Sequence, residues 1–357
     1  MKTHPRVMRA MLSTPWAMLP AKLADVEAFL ARVDVTGPLT AQAVEDQFGS
    51  SDPRPLIRVG SVAVIPIQGV ISQKINLVDN ISGPGGTSTE LLSRQIDQAI
   101  KDPQVKSILL DIDSPGGSVF GVQELFDAVM AARDSKRVVA SVNSLAASAA
   151  YWLACAANEM AVVPSGQVGS IGVYMMHDDV SKRMEQAGVK TTFIQAGKYK
   201  TEGNPYEPLG AEARAAIQEQ VDGYYDMFVK AVARGRGVSQ ASVRGGFGEG
   251  RMVMAADAVK QGMADRVATF DTTLSRLLMK GARQGGDATA CGTVRDLEAL
   301  LRDGAGLSNS KAKEIASLAF KPAQTSETEA AQPAPATDGA DQETLEALRE
   351  FVAAMKD

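Results

Sequence analysis

Between residues 61 and 265 short apolar runs alternate with helical stretches, and that alternation leaves few folds open. Ser61–Ile71 is rich in β-formers, and Val105–Asp113, Arg137–Asn143, Glu159–Pro164 and Lys190–Gln195 are further runs of the same kind. Between them lie helical patterns. Ser88 is placed to cap a helix carrying Leu91, Leu92, Ile96 and Ile100; Val119–Arg133, Ala146–Ala157 and Asp178–Gln186 follow. Such repetition predicts an α/β fold of repeated βα units, with a parallel sheet covered on both faces. Ala211–Arg234 adds a long helix whose Ile217, Val221, Tyr224, Phe228 and Val232 share one face, a stripe best read as core packing. Arg251–Asp265 is expected to be the closing helix.

Outside this body the pattern changes. Residues 1–60 read as a helical segment (Ala21–Val33 is amphipathic) that loosens before Pro53 and Pro55. The body spans 61–280, and 281–292 is a linker containing Gly and Asp. Residues 293–320 hold short helices. Residues 321–357 form an acidic, partly disordered tail of low complexity that ends in an amphipathic helix with Leu345, Leu348, Val352 and Met355. The tail has eight acidic and three basic residues, so it accounts for the whole net charge of −5 in the 357-residue chain. The mild acidity of the chain argues against nucleic acid as the main partner.

The rare residues narrow the chemistry. Two cysteines, Cys155 and Cys291, and two histidines, His4 and His177, give no spacing for a zinc or iron–sulfur site. No metal, nucleotide or organic cofactor is expected: there is no GxxxxGK[ST] run, and Gly83–Gly86 is not in a GxGxxG frame. The longest small-apolar run, Ala146–Ala157, falls short of the roughly 18 residues that span a bilayer. Pro15 and Pro20 interrupt the N-terminus, which reads as neither signal peptide nor anchor. A reducing, cytoplasmic setting is expected.

Three constellations can carry chemistry. Asp113-Ser114-Pro115-Gly116-Gly117 ends a strand ahead of a helix, where unobstructed backbone N–H groups bind an anion or a developing oxyanion; a plain turn explains it equally simply. Asn143–Tyr151 sits at a second such junction, with Ser148 crowded by alanines. Ser148 there is either a nucleophile, with the Ala149 N–H as oxyanion donor, or a helix cap, although Ser144 is the better capping candidate. Gly197–Gly203 carries Lys198 and Lys200, each a surface charge when taken alone. A serine nucleophile needs a base, and a lysine serves when burial lowers its pKa from about 10.4 by as much as roughly 3–5 units.

Taken in order, Ser-Pro-Gly-Gly (114–117), Ser-Leu-Ala-Ala-Ser-Ala-Ala-Tyr (144–151), Gly-Ser-Ile-Gly-Val (169–173) and Gly-Lys-Tyr-Lys (197–200) resemble the signal peptide peptidase A (SppA) family of serine proteases, from about Val62 to Val267. The resemblance implies a ClpP/crotonase-like fold and a ring-like homo-oligomer. It implies Ser148 as nucleophile, Lys200 as base, Gly117 as oxyanion donor with Gly116 beside it, and Ser170 as the residue that orients the lysine. The chain departs from the family in having Ala149 and Ala150 where Gly-Gly is frequent. Alanine keeps the N–H but narrows the pocket. Gly-Asn-Pro-Tyr (203–206) and the acidic tail resemble the phage head maturation (prohead) branch, which implies capsid or scaffold proteins as substrates in an assembling prohead. Three other readings stay open. His177 could replace Lys200 as base. The fold could serve a crotonase-like acyl-CoA enzyme. The chain could act chiefly as a scaffold.

Overall fold

The structure is a computed structural model that describes residues 14–24, 56–74 and 86–284, together with the single residues Arg295 and Lys313. The described residues fall in one compact unit, residues 1–319. The expected linker, short helical region and acidic tail therefore lie almost wholly outside them, as do the Gly83–Gly86 loop and most of the N-terminal helix, of which residues 20–24 are helical.

The main sheet is built on three parallel strands: β3 (Val62–Gln68), β6 (Ser107–Ser114) and β8 (Arg137–Ala147). β2 (Ile57–Val59) flanks β3 antiparallel. β9 (Glu159–Val162) pairs with the first half of β8, and β10 (Gln167–Gly169) pairs with its last three residues. β11 (Met252–Met254) lies antiparallel on β10, and β12 (Arg266–Val267) lies parallel on β9. A smaller sheet holds β1 (Trp16–Met18), β7 (Gly116–Ser118), β4 (Ile71–Ser72) and β5 (Thr87–Ser88), in that order.

Because strand side chains alternate between faces, β6 feeds two cores. Ile108, Leu110 and Ile112 pack with helices α1 (Thr89–Lys101) and α2 (Val122–Ser135). Leu109 packs on the other face with Val62, Val64, Val139 and Leu277, the last from helix α8 (Phe270–Gln284). Ser88 caps α1 as expected, its Oγ accepting from the Leu91 N–H at 3.3 Å. A short helix, α3 (Ala149–Ala154), is buried along its whole length, and its Trp152 stacks on Phe228 with centroids 4.4 Å apart. Phe228 belongs to α5 (Ala211–Arg236), the expected long helix.

Several boundaries differ from expectation. β8 runs on to Ala147, so the helix begins at Ala149 rather than Ala146: the small side chains of 145–147 let β10 pair closely there. The expected turn at 114–117 is itself strand, because Gly116–Ser118 pairs with β1 and β4. Asp178–Gln186 shortens to helix α4 (Ser181–Gln186). Arg251–Asp265 splits into β11 and helix α7 (Ala255–Lys260), since 252–254 meet the free edge of β10. α6 (Gln240–Gly246) precedes them. Lys190–Gln195 is not a strand. No described strand pairs with it, and Ile194 is 100% exposed. Its β-forming composition meets no partner strand among the described residues.

Candidate active site

The carboxyl ends of β6 and β8 and the end of β10 converge on Ser148. Ser114 stands opposite Ala146, and Ala147 stands opposite Gly169. Between strand and helix Ser148 takes φ 54°, ψ −114°, a conformation that costs an L-residue about 1–3 kcal/mol and is kept only where the surroundings dictate it. They do so here: the Ser148 N–H donates to the Gly169 carbonyl at 2.7 Å, and the Ser148 carbonyl accepts from Trp152 at 2.9 Å. The side chain makes no capping bond. Its Oγ donates to the Gly172 carbonyl at 3.3 Å, and the residue is 1% exposed. A helix N-terminus thus begins at Ala149 with backbone N–H groups that have no intrahelical partner. Ser144, the expected cap, lies instead in β8 with its hydroxyl on Asp113.

Gly116 and Gly117 lie beside this corner. Gly116 has φ +94°; its N–H is held by Ser114 Oγ at 3.2 Å, and Ser114 in turn donates to the Gly69 carbonyl at 2.6 Å. A Cβ on Gly116 would stand 2.9 Å from the Ala147 carbonyl oxygen, so the Ser-Pro-Gly-Gly segment abuts the residue before Ser148. A Cβ on Gly117 would stand 1.9 Å from the Ile71 carbonyl oxygen. Only glycine lets β7 pass this close to β4.

Ser170 also has a positive φ, 54°, and is nearly buried, its N–H donating to the Arg251 carbonyl at 2.9 Å. Ser148 and Ser170 are two of the three non-glycine residues with positive φ among the described residues. The structure therefore gathers Ser148, Ala149, Gly116, Gly117 and Ser170 in one neighbourhood.

Lys200 makes no contact that ties it to this neighbourhood among the described hydrogen bonds and ion pairs. The residue is exposed in a turn. It belongs to a stretch, residues 172–212, in which no residue is buried. The neighbouring Lys198 pairs with Glu212 at 2.9 Å and with the Tyr199 hydroxyl; those two partners hold its ammonium above the usual lysine range. His177 Nε2 meets the Asn204 carbonyl at 3.1 Å, tying the chain before α4 to the Gly-Asn-Pro-Tyr turn.

Two contributors went unnoticed in the sequence. Gly172, the acceptor for Ser148, was visible only as part of the Gly-Ser-Ile-Gly-Val run. Strand β1 had a fainter signal: Pro15 and Pro20 bracket Trp16–Leu19 and favour extended backbone there. Cys155, buried in the core beneath, is not a rival nucleophile. Burial pushes its thiol up to about 12, which keeps it protonated. No group of side chains suited to a metal ion occurs among the described residues, and no helix there is long and apolar enough to cross a membrane.

Residues 130–283 match the model of Peptidase family S49. The chain is 34% identical to the head-tail preconnector protein GP5 of Enterobacteria phage P21 over 238 residues, which is 66% of this chain and 47% of that protein. It is 32% identical to the capsid assembly protease C of Escherichia phage lambda over 222 residues, 62% of this chain and 50% of that protein. It is 28% identical over 186 residues to a putative signal peptide peptidase SppA of Enterococcus faecium, covering 51% of this chain and 53% of that one. The chain spans about half the length of these relatives. Over residues 130–283 the chain is thus similar to Peptidase family S49, and SppA-type and phage proteins are both among its relatives.

Proposed function

We propose that the chain is a serine endopeptidase in which Ser148 is the nucleophile and Lys200 the general base. The observation that carries this reading is the backbone of Ser148, held in a strained corner between strand and helix beside two glycines. A hydroxyl presented there can attack a carbonyl whose oxygen is received by the Gly117 and Ala149 N–H groups. The lysine amine takes the hydroxyl proton, returns it to the leaving amine and then activates water for deacylation. Ser170 orients that amine. A ClpP/crotonase-like fold and a protease domain over residues 61–280 belong to the same reading.

Base chemistry by Lys200 needs its amine out of water, and within one chain Lys200 is exposed. A second copy of the chain supplies the cover in this account. Residues 172–212 bury nothing, yet they present Val189, Ile194 and Tyr199 at 47%, 100% and 52% exposure. Burying an isoleucine side chain fully is worth about 1.5–3 kcal/mol, so such an arm is suited to packing against a neighbour. The working enzyme is then a homo-oligomer. Its substrates are capsid or scaffold proteins of an assembling phage head, in line with the names its relatives carry, and residues 285–357 deliver it to that head.

Mass spectrometry of the purified chain incubated alone and with candidate capsid and scaffold proteins tests this. Discrete cleavage products are expected from the native protein, and none from Ser148→Ala or Lys200→Ala. Cleavage persisting in Lys200→Ala but lost in His177→Ala would reassign the base. Removal of residues 285–357 should spare peptide hydrolysis and abolish incorporation into particles.

A further inference from the structure

Strand β1 lies across the proposed oxyanion donor. Ala17 stands opposite Gly117 in an antiparallel ladder, with Trp16 opposite Ser118 and Met18 opposite Gly116. On its other side Trp16 exchanges both backbone bonds with Tyr174, at 2.9 and 3.0 Å. Polar backbone groups alternate sides along a strand, so those of Ala17 point back at β7. The bonds from Val119 N–H to the Pro15 carbonyl, 3.2 Å, and from Leu19 N–H to the Pro115 carbonyl, 3.0 Å, fix the same register two residues away on each side. The Ala17 carbonyl therefore faces the Gly117 N–H.

The segment is also inserted deeply. Trp16, Ala17 and Met18 are 6%, 0% and 2% exposed. A Cβ on Gly116 would strike the Ala17 carbonyl oxygen at 2.2 Å and the Met18 Cα at 3.1 Å, so the glycine leaves room for this strand. Tyr174 is two residues beyond Gly172, the acceptor of the Ser148 hydroxyl. An extended peptide thus runs between the Gly117 strand and the segment that holds the nucleophile, adding main-chain bonds on both edges.

We propose that residues Pro15–Leu19 are the chain's own occupant of its peptide groove, a tethered strand that fills the place of a substrate and must leave before one binds. The inference rests on the assignment of Gly117 and Ser148 above. Tethering gives the occupant an effective concentration on the order of millimolar, so a free peptide of equal affinity displaces it only above about that concentration. The occupant also displays what the groove accepts: an extended segment with a small residue, here fully buried Ala17, over Gly117.

The test uses the full chain carrying Ser148→Ala and a fluorescent peptide copying residues 12–21. Adding Ala17→Pro removes the N–H that faces β7 and should loosen the strand. Trp16→Ala, a truncation without a backbone change, is the second variant, and melting curves confirm that each is folded. At least tenfold tighter probe binding is expected in both double variants than in Ser148→Ala alone. With Ser148 restored, KM for a peptide substrate should fall by a similar factor. Equal probe binding in all three folded proteins overturns the proposal. Tighter binding without any peptide hydrolysis by the native chain would sink the peptidase reading and leave the groove assignment standing. Hydrolysis with equal probe binding would do the reverse.

Discussion

Ser148 and Ser170 differ from the other described serines in their backbone, each with a positive φ of 54°, and Ser148 alone of the two stands between a strand and a helix. Its positive φ is imposed by the bond to Gly169 and by the close strands around it, which is why the flanking residues are alanines: larger side chains at 146, 147, 149 or 150, all 0% exposed, would have no space. Ser148→Ala should keep the melting temperature within a few degrees while lowering peptide turnover by about 10⁴–10⁶-fold, as loss of a catalytic nucleophile does in proteases that work by a coupled set of groups. Gly117→Ala separates structure from chemistry at the same spot. Its N–H would remain, but the methyl would meet the Ile71 carbonyl. A cost of about 1–3 kcal/mol in urea unfolding is expected, together with loss of turnover, because β7 must shift away from the nucleophile. A variant as stable and active as the native protein would remove Gly117 from the site.

At the scale of elements, β9 and α8 are joined through one carboxylate. Glu159 receives Arg137 at 2.5 Å, Arg266 at 2.6 Å and Arg276 of α8 at 3.0 Å. Burial works against its charge, but the Arg137 hydrogen bond and the three guanidinium groups outweigh burial and hold the carboxyl below its ordinary value. A depressed folded-state pKa stabilises above the unfolded value of about 4.3, and that contribution fades as pH falls through the folded value. The urea midpoint of the native protein should therefore drop between pH 6 and pH 3, and Glu159→Gln should show a smaller drop over the same interval. Parallel pH profiles in the two proteins would contradict the role given to Glu159. The order of elements in this region was legible in the sequence, because strands buried on both faces read as continuous apolar runs: Ile108, Leu109 and Leu110 are all 0% exposed. What escaped were elements whose identity depends on a distant partner. β7 is two glycines and a serine, and only β1 and β4 make it a strand. β11 was hidden inside a helical pattern until β10 claimed it. Lys190–Gln195 failed in the opposite sense, with β-forming residues but no partner strand among the described residues. The site divided along the same line: Ser148, Gly116, Gly117 and Ser170 were legible in short motifs, whereas Gly172 and Trp16–Met18 reach the corner through tertiary pairing that a linear pattern does not encode.

For the molecule as a whole, the exposed stretch 172–212 and the exposed Lys200 within it make assembly a condition of activity in the proposed mechanism. Turnover per chain should rise with protein concentration until the oligomer is saturated. Ile194→Asp, which puts a charge on a side chain that is 100% exposed in one chain, should leave the melting temperature nearly unchanged. It should lower both the mass measured by light scattering and the turnover; a monomer of full activity would rule out a shared site. The most direct measurement is covalent labelling of the assembled protein with a peptidyl fluorophosphonate, followed by peptide mapping. The account predicts a single adduct on Ser148, formed in step with loss of peptide hydrolysis and absent from Lys200→Ala. Hydrolysis that continues with Ser148 fully labelled, or an adduct on a different serine that tracks the loss of activity, would contradict it.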